Sequence, residues 1–283
     1  MSADIFDARP CALGEGPLWH PLRKQLFWFD ILGRKLLSQQ DGNPLEWEFE
    51  EHVSAAGWID EDTLLIASQT GLWRFELQTG TRSLVVALEA DQLLTRSNDG
   101  RADPWGGFWI GTMGLNAERE AGSIYRYYNG ELRQLFAGLT ITNSISFSPD
   151  RRLAYFTDTV VRRIMKVELA PDTGWPAEEA QVLVDLSKAE LNPDGSVVDA
   201  MGYLWNAQWG AGRIARYAPD GSLHSVHEIP ASQVTCPSFG GDGLRNLFVT
   251  SAAIGLGSVD AHDGKTFRLP VDVQGQAEHR VIL

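Results

Sequence analysis

The chain has 283 residues, 43% of them hydrophobic, and carries 37 Asp and Glu against 24 Lys and Arg, a formal charge of −13. That length and apolar content can bury a large core, and no 18-residue apolar run suits a membrane-spanning helix. The acidic balance disfavours nucleic-acid and anionic membrane partners. Cys11 and Cys236 are too few for a disulfide framework and are expected as reduced, partly buried thiols. The N-terminal Met-Ser-Ala-Asp is acidic where a signal peptide is basic, so the expected location is the cytoplasm.

Taken in chain order, short strand-like runs recur: Leu26–Phe29, Thr63–Ile66, Phe108–Ile110, Ala154–Phe156, Leu204–Asn206 and Leu247–Val249. Anchored on Trp28, Leu65, Trp109, Tyr155, Trp205 and Phe248, they are spaced by 37, 44, 46, 50 and 43 residues. Before each run a strand ends in a polar turn, such as His20-Pro21, Asp103-Pro104 or Ser148-Pro149-Asp150. After each, a third strand is opened by glycine or arginine, as in Gly33-Arg34-Lys35-Leu36, Gly122-Ser123-Ile124-Tyr125 and Gly212-Arg213-Ile214-Ala215. A repeat of 40–45 residues with about four strands per unit is propeller periodicity. The expected fold is an all-β, six-bladed β-propeller forming one domain over residues 1–283. Residues 178–190 are the nearest helix candidate, readable also as a turn or loop. Residues 278–283 look like an outer strand, and Ile5-Phe6 could pair beside it.

Aligning the first strand of each unit on its closing turn brings Glu15, Ala55, Asn98, Asn143, Asp194 and Cys236 (or Pro237) into one row. In a propeller the first strands line the central channel, so Glu15, Asn98, Asn143 and Asp194 should converge. Two carboxylates and two amides buried together are costly without a cation or tight hydrogen bonds. Oxygen donors of this kind suit Ca²⁺, Mg²⁺ or Mn²⁺, and Zn²⁺ and Fe²⁺ also accept carboxylates. Arg96, two residues before Asn98, shares its strand face and could present a bidentate fork at the channel mouth. Of the six histidines only His224 and His227 have a ligand-like spacing, and beside a turn they read as a solvated pair. Trp28, Trp109 and Trp205 read as core. Trp19, Trp58 and Trp209 lie nearer the channel, where one could stack on a sugar ring. No Gly-x-Ser-x-Gly signature of a covalent hydrolase is present.

Together these residues resemble the regucalcin, senescence-marker-protein and gluconolactonase family of six-bladed sugar lactonases, over nearly the whole chain. The carriers are Leu13-Gly14-Glu15-Gly16-Pro17-Leu18-Trp19, Arg96-Ser97-Asn98-Asp99-Gly100 with Gly111-Thr112-Met113, Thr142-Asn143-Ser144 and Pro193-Asp194-Gly195. The resemblance implies one divalent metal ion on Glu15, Asn143 and Asp194, with Asp194 also the catalytic general base. It implies substrate contacts from Arg96 and Asn98. Where some relatives carry paired glutamates, Asn116 takes the place with a neutral amide, and it is carried over as a third substrate contact. Ser144 stands where the family usually has glycine, and the rim segment Ser251–Asp263 is shorter than in several relatives. The implied activity is hydrolysis of a sugar-acid lactone such as a glucono-, galactono-, arabinono- or xylonolactone to the open-chain acid. The implied partner is that small molecule alone, with no nucleic acid or membrane, and the chain a monomer or weak homodimer. The alternative is a non-catalytic, calcium-binding propeller of the regucalcin type. Relatives that hydrolyse organophosphates or aryl esters typically need a fuller calcium ring and often a channel histidine, which the aligned row lacks. A protein-interaction propeller would not need the polar row.

Overall fold

A computed structural model describes residues 2–283. The described residues form 24 strands in six four-stranded antiparallel sheets, with two short 3-10 turns and no α-helix. Five sheets are built from consecutive strands, the inner one first. Inner strands of blades 1 to 5 are Gly14–His20, Val53–Trp58, Thr95–Ala102, Thr142–Phe147 and Asn192–Val198. The sixth sheet runs from inner Gln233–Gly240 through Asn246–Ala252 and Thr266–Pro270 to outer Asp4–Asp7, so the N-terminal strand completes the last blade. The inner strands of blades 6 and 1 are neighbours, and the ring closes as a six-bladed β-propeller. None of the elements is a helix long and apolar enough to cross a membrane.

The sequence pattern explains the layering. Inner and second strands are covered on both faces and read as near-continuous buried runs, as in Gln25–Asp30 and Phe108–Gly114. Outer strands have one wet face and alternate, as Asn43–Glu48 and Leu223–Glu228 do. The core is accordingly divided: six apolar clusters each fill one blade-to-blade interface. All six repeat anchors are buried, Trp28, Leu65 and Trp109 completely.

Two expectations are corrected. Residues 178–190 hold no helix: Gln181–Asp185 is the outer strand of blade 4, and only Ser187–Ala189 makes a single 3-10 turn. Residues 278–283 are not an outer strand; only Ile5-Phe6, within Asp4–Asp7, takes that edge. The C-terminal residues instead form a strap at the far ends of the inner strands. Ala200 N donates to Gln274 O, and Gln276 Nε2 donates to Phe147 O and Val198 O. Trp58 Nε1 donates to Glu278 O, Val281 N to Trp58 O and Ile282 N to Gly106 O. The strap thus ties blades 2, 3, 4 and 5 from below. Its Glu278 carboxylate pairs with buried Arg101, whose Nε donates to Ile145 O and Nη2 to Ser196 O. Between strap and channel floor is a void of about 20 Å³, room for about one water.

Both thiols are buried and unpaired, as expected. Burial pushes Cys11 up to about 12, with Asp30 adding to it, and burial beside Asp99 and Glu15 raises Cys236. Only the thiolate reacts, so native protein at pH 8 should give no fast reaction with Ellman's reagent, and two equivalents after denaturation. Rapid stoichiometric labelling of the native chain would contradict this packing.

Candidate active site at the head of the channel

Near its start, every inner strand breaks register with its neighbour: between Glu15 and Leu18, Val53 and Ala55, Ser97 and Gly100, Asn143 and Ser146, Pro193 and Ser196, and Val234 and Pro237. Such bulges re-aim side chains. Glu15 and Asn143 are the last residues in register before theirs, whereas Asn98 and Asp194 lie inside theirs. The four residues picked out by the turn count line one cavity, and they reach it by two local geometries. The bulge after Glu15 needs a left-handed residue, Gly16 at φ 54, where a Cβ would lie 2.2 Å from Ser54 O. The matching residue after Asn143 is Ser144, also left-handed at φ 63. Its hydroxyl donates to Asp194 O and accepts from Ser196 Oγ at 2.9 Å and Asn206 Nδ2 at 3.2 Å. Ser144 thus stitches blade 4 to blade 5 from a left-handed position.

Glu15, Arg96, Asn98, Asn116, Asn143 and Asp194 all line one cavity of about 530 Å³, large enough for a small sugar. Five are buried; Asn116 is exposed at the mouth. Asn143 Nδ2 donates to Thr159 Oγ1 at 2.9 Å, which turns Oδ1 the other way. That Oδ1 accepts from Asn98 Nδ2 at 3.2 Å; Asn98 Nδ2 also donates to Thr142 O at 2.9 Å, and Asn98 Oδ1 accepts from Arg96 Nη1 at 2.8 Å. Asn98 is therefore a link between Arg96 and Asn143, with both amide hydrogens in use. Asn116 Nδ2 and N donate to the Glu118 carboxylate, which thereby fixes the amide at the rim.

The two carboxylates are poorly compensated. Glu15 accepts from Gly16 N at 2.9 Å, and burial with the nearby Asp99 pushes it up to about 8 against the opposing pull of Arg96. Asp194 is raised by burial, Glu15 and Asp99, with Gly195 N as its donor. The third carboxyl, Asp99, is turned to Ile145 N at 2.7 Å and raised to about 6 by burial, while Arg101 holds it down. Burial lowers Arg96 to about 10. Among the described residues no group of three or more His, Cys, Asp or Glu side chains is arranged to hold a metal. A cation site here would rest on the Asn143 amide as its third donor. Two under-partnered carboxylates and that oxygen fit a hard divalent ion.

Other expected positions lie elsewhere. Of the three candidate tryptophans only Trp209 reaches the cavity, with Ile254 of the short rim segment. Trp19 stacks on Phe248 at 5.5 Å and Trp58 bonds the strap. His224 and His227 sit on an outer strand, His227 stacked on Trp205 at 4.9 Å. Thr159, Arg162 and Asn192 also line the cavity, outside the row that the strand alignment picks out. A signal existed for the first two: Asp30-Ile31-Leu32-Gly33-Arg34 and Asp158-Thr159-Val160-Val161-Arg162 are matching turns, each opened by a capping aspartate and closed by arginine.

The chain is similar to known proteins in sequence and in fold. Residues 13–253 match the SMP-30/Gluconolactonase/LRE-like region. The chain is 37% identical to L-arabinolactonase of Azospirillum brasilense, covering 95% of this chain and 91% of that protein. It is 32% identical to 6-deoxy-6-sulfogluconolactonase of Pseudomonas putida, covering 95% of each. Among solved structures, the calcium-binding protein regucalcin from Agrobacterium tumefaciens superposes with a TM-score of 0.97 at 41% identity, covering 100% of this chain and 98% of that one.

Proposed function

The chain belongs to the SMP-30/Gluconolactonase/LRE-like family, and from that premise we propose that it is a metal-dependent lactonase that opens sugar-acid lactones. The observation that carries the reading is the pair of desolvated carboxylates, Glu15 and Asp194, converging with the Asn143 amide in a sugar-sized cavity. The two relatives named as lactonases support the same chemistry.

Glu15, Asn143 and Asp194 would hold the divalent ion, which supplies Lewis acidity toward the lactone carbonyl. Arg96, steadied by its bond to Asn98, directs its remaining donors at the ring oxygens. Asn98 keeps one Oδ1 lone pair for a substrate hydroxyl, and Asn116 closes on the ring from the rim. Asp194 is pinned at its carbonyl by Ser144 and Asn206, so its carboxylate stays aimed while its backbone is held. That carboxylate accepts a proton from the attacking water as the new C–O bond forms. The proton then passes to the ring oxygen as the ester bond breaks, giving the open-chain acid.

The test is hydrolysis of a panel of pentono- and hexonolactones by chelator-stripped protein, with Ca²⁺, Mg²⁺, Mn²⁺, Zn²⁺ or Fe²⁺ added back. Turnover should appear only with a cation. Folded protein that binds a cation yet opens no lactone would leave the second reading, a calcium-binding propeller like the regucalcin of Agrobacterium tumefaciens.

The same carboxylates set a pH dependence. With Glu15 raised from 4.5 to about 8, the cation-free fold binds more protons than the unfolded chain across that window. Its stability therefore falls as pH rises from 4.5 to 8. Melting curves of chelated protein should show a lower Tm at pH 8 than at pH 5.5, and a saturating cation should shrink the gap. A gap that the cation leaves unchanged would remove these carboxylates as ligands.

A further inference from the structure

The cavity wall holds a second arginine that the lactonase chemistry leaves unused. Arg162 closes the blade 4 turn that begins at Asp158, and the turn is anchored on both sides. The Asp158 carboxylate accepts from Thr140 N at 2.9 Å and Ile141 N at 3.1 Å, and Thr159 Oγ1 donates to Pro193 O at 2.8 Å. Arg162 occupies the left-handed position, φ 59, that Arg34 takes in blade 1 and Gly212 in blade 5. Arg34 sends Nη1 outward to Glu50 O, whereas Arg162 faces the cavity.

Arg162 Nε donates to Asn192 Oδ1 at 3.0 Å. That bond turns the Asn192 oxygen toward Arg162 and leaves its Nδ2 as a donor. Among the described residues, the two terminal nitrogens of Arg162 and Asn192 Nδ2 have no protein acceptor within hydrogen-bond reach. The buried arginines outside the cavity are neutralised in place, Arg101 by Glu278, Arg126 by Asp103 and Arg216 by Asp199. Arg162 is half-buried at the cavity wall and has no carboxylate partner among the described residues. A fork of donors without an acceptor, on the wall of a closed-ended cavity, is the arrangement that an oxyanion completes.

The charge balance agrees. The ionisable groups lining the cavity are two carboxylates, Glu15 and Asp194, and two guanidiniums, Arg96 and Arg162. A divalent ion on the carboxylates leaves both guanidiniums uncompensated and the lumen positive, in a chain that is otherwise strongly acidic.

Resting on the lactonase reading, we propose that Arg162 and Asn192 form an anion subsite, and that the preferred substrates are lactones bearing an acidic group away from the ester. Carboxylate, sulfonate and phosphate share the oxyanion chemistry that this fork recognises.

A matched set separates them: a neutral hexonolactone and its 6-carboxylate, 6-sulfonate and 6-phosphate counterparts, assayed with the cation-loaded protein. At least one acidic member should exceed the neutral lactone in kcat/KM by at least about tenfold, and the best member names the group. In Arg162→Gln that ratio should collapse toward one, and Arg162→Lys should recover part of it. Equal kcat/KM across the set, or a preference that survives Arg162→Gln, would overturn the subsite while leaving lactone hydrolysis standing. Calorimetry gives a readout that needs no turnover: the open-chain dicarboxylic acid should bind the parent and bind Arg162→Gln at least about tenfold more weakly. If no lactone is opened, the lactonase reading fails. Calorimetry then decides the subsite alone, and equal binding to parent and variant would reject it.

Discussion

Asp194→Asn should lower kcat/KM for lactone hydrolysis by about a thousandfold, the scale of a lost proton acceptor, while the fold is retained. The substitution is nearly isosteric. The two bonds that fix residue 194, from Ser144 Oγ and Asn206 Nδ2, go to its backbone carbonyl and survive the change. The side chain itself is destabilising as an anion, because burial, Glu15 and Asp99 all raise its pKa. A neutral amide removes that penalty, so cation-free Asp194→Asn should melt at pH 8 no lower than the parent. Activity and stability thus move in opposite directions, which a merely misfolded variant cannot reproduce. Parent-like turnover by Asp194→Asn would exclude the residue as proton acceptor. Cation affinity, measured by calorimetry, should fall in the same variant because one of two charged donors is gone.

Asp103→Ala should cost about 3–5 kcal/mol of folding stability, the usual price of stranding a buried charge. Asp103 and Arg126 are both fully buried, and Arg126 Nε donates to Asp103 Oδ2 at 2.7 Å. Asp103 Oδ1 meanwhile accepts from Trp105 N at 2.8 Å and Gly107 N at 3.0 Å, closing the turn below blade 3. Without the carboxylate the guanidinium keeps Thr173 O and the faces of Tyr128 and Trp175, but no counter-charge. For a chain of this size the Tm should fall by on the order of 10 °C. Removing both charges, as Asp103→Leu with Arg126→Met, should recover most of the loss. A single variant that melts within a degree of the parent would show the pair to be dispensable.

Blade 5 repeats the device: Asp199 Oδ1 closes the turn to Met201 N and Tyr203 N, and Oδ2 receives Trp205 Nε1 and Arg216. Asp103-Pro104 and Asp199-Ala200 are equivalent polar turns that close the inner strands of blades 3 and 5, so these punctuation marks of the repeat are themselves held by buried arginines. The fold could be read because each blade restates one local rule, a wet turn followed by a doubly buried strand. Glu15, Asn98, Asn143 and Asp194 could be read because the ring converts equal positions along the blades into one place in space. What could not be read was whatever departs from the repeat. The strap obeys no strand period, because its residues answer to the lower ends of four different blades. Residues 178–190 carry glutamates and alanines that suit a helix, yet the open edge of blade 4 claims Gln181–Asp185 by hydrogen bonding. Arg162 and Asn192 meet only through a turn and a neighbouring blade, a juxtaposition of two residues 30 apart that no periodicity announces.

The strap makes the channel a cul-de-sac. With Arg101 and Glu278 filling the axis and space below them for about one water, nothing the size of a sugar can leave at the rear. Arrivals and departures share one doorway. Traffic through the ring is therefore strictly alternating: the acid that has just been made must vacate before the next lactone is admitted. Asn116, Trp209 and Ile254 stand at that doorway, so both journeys pass them.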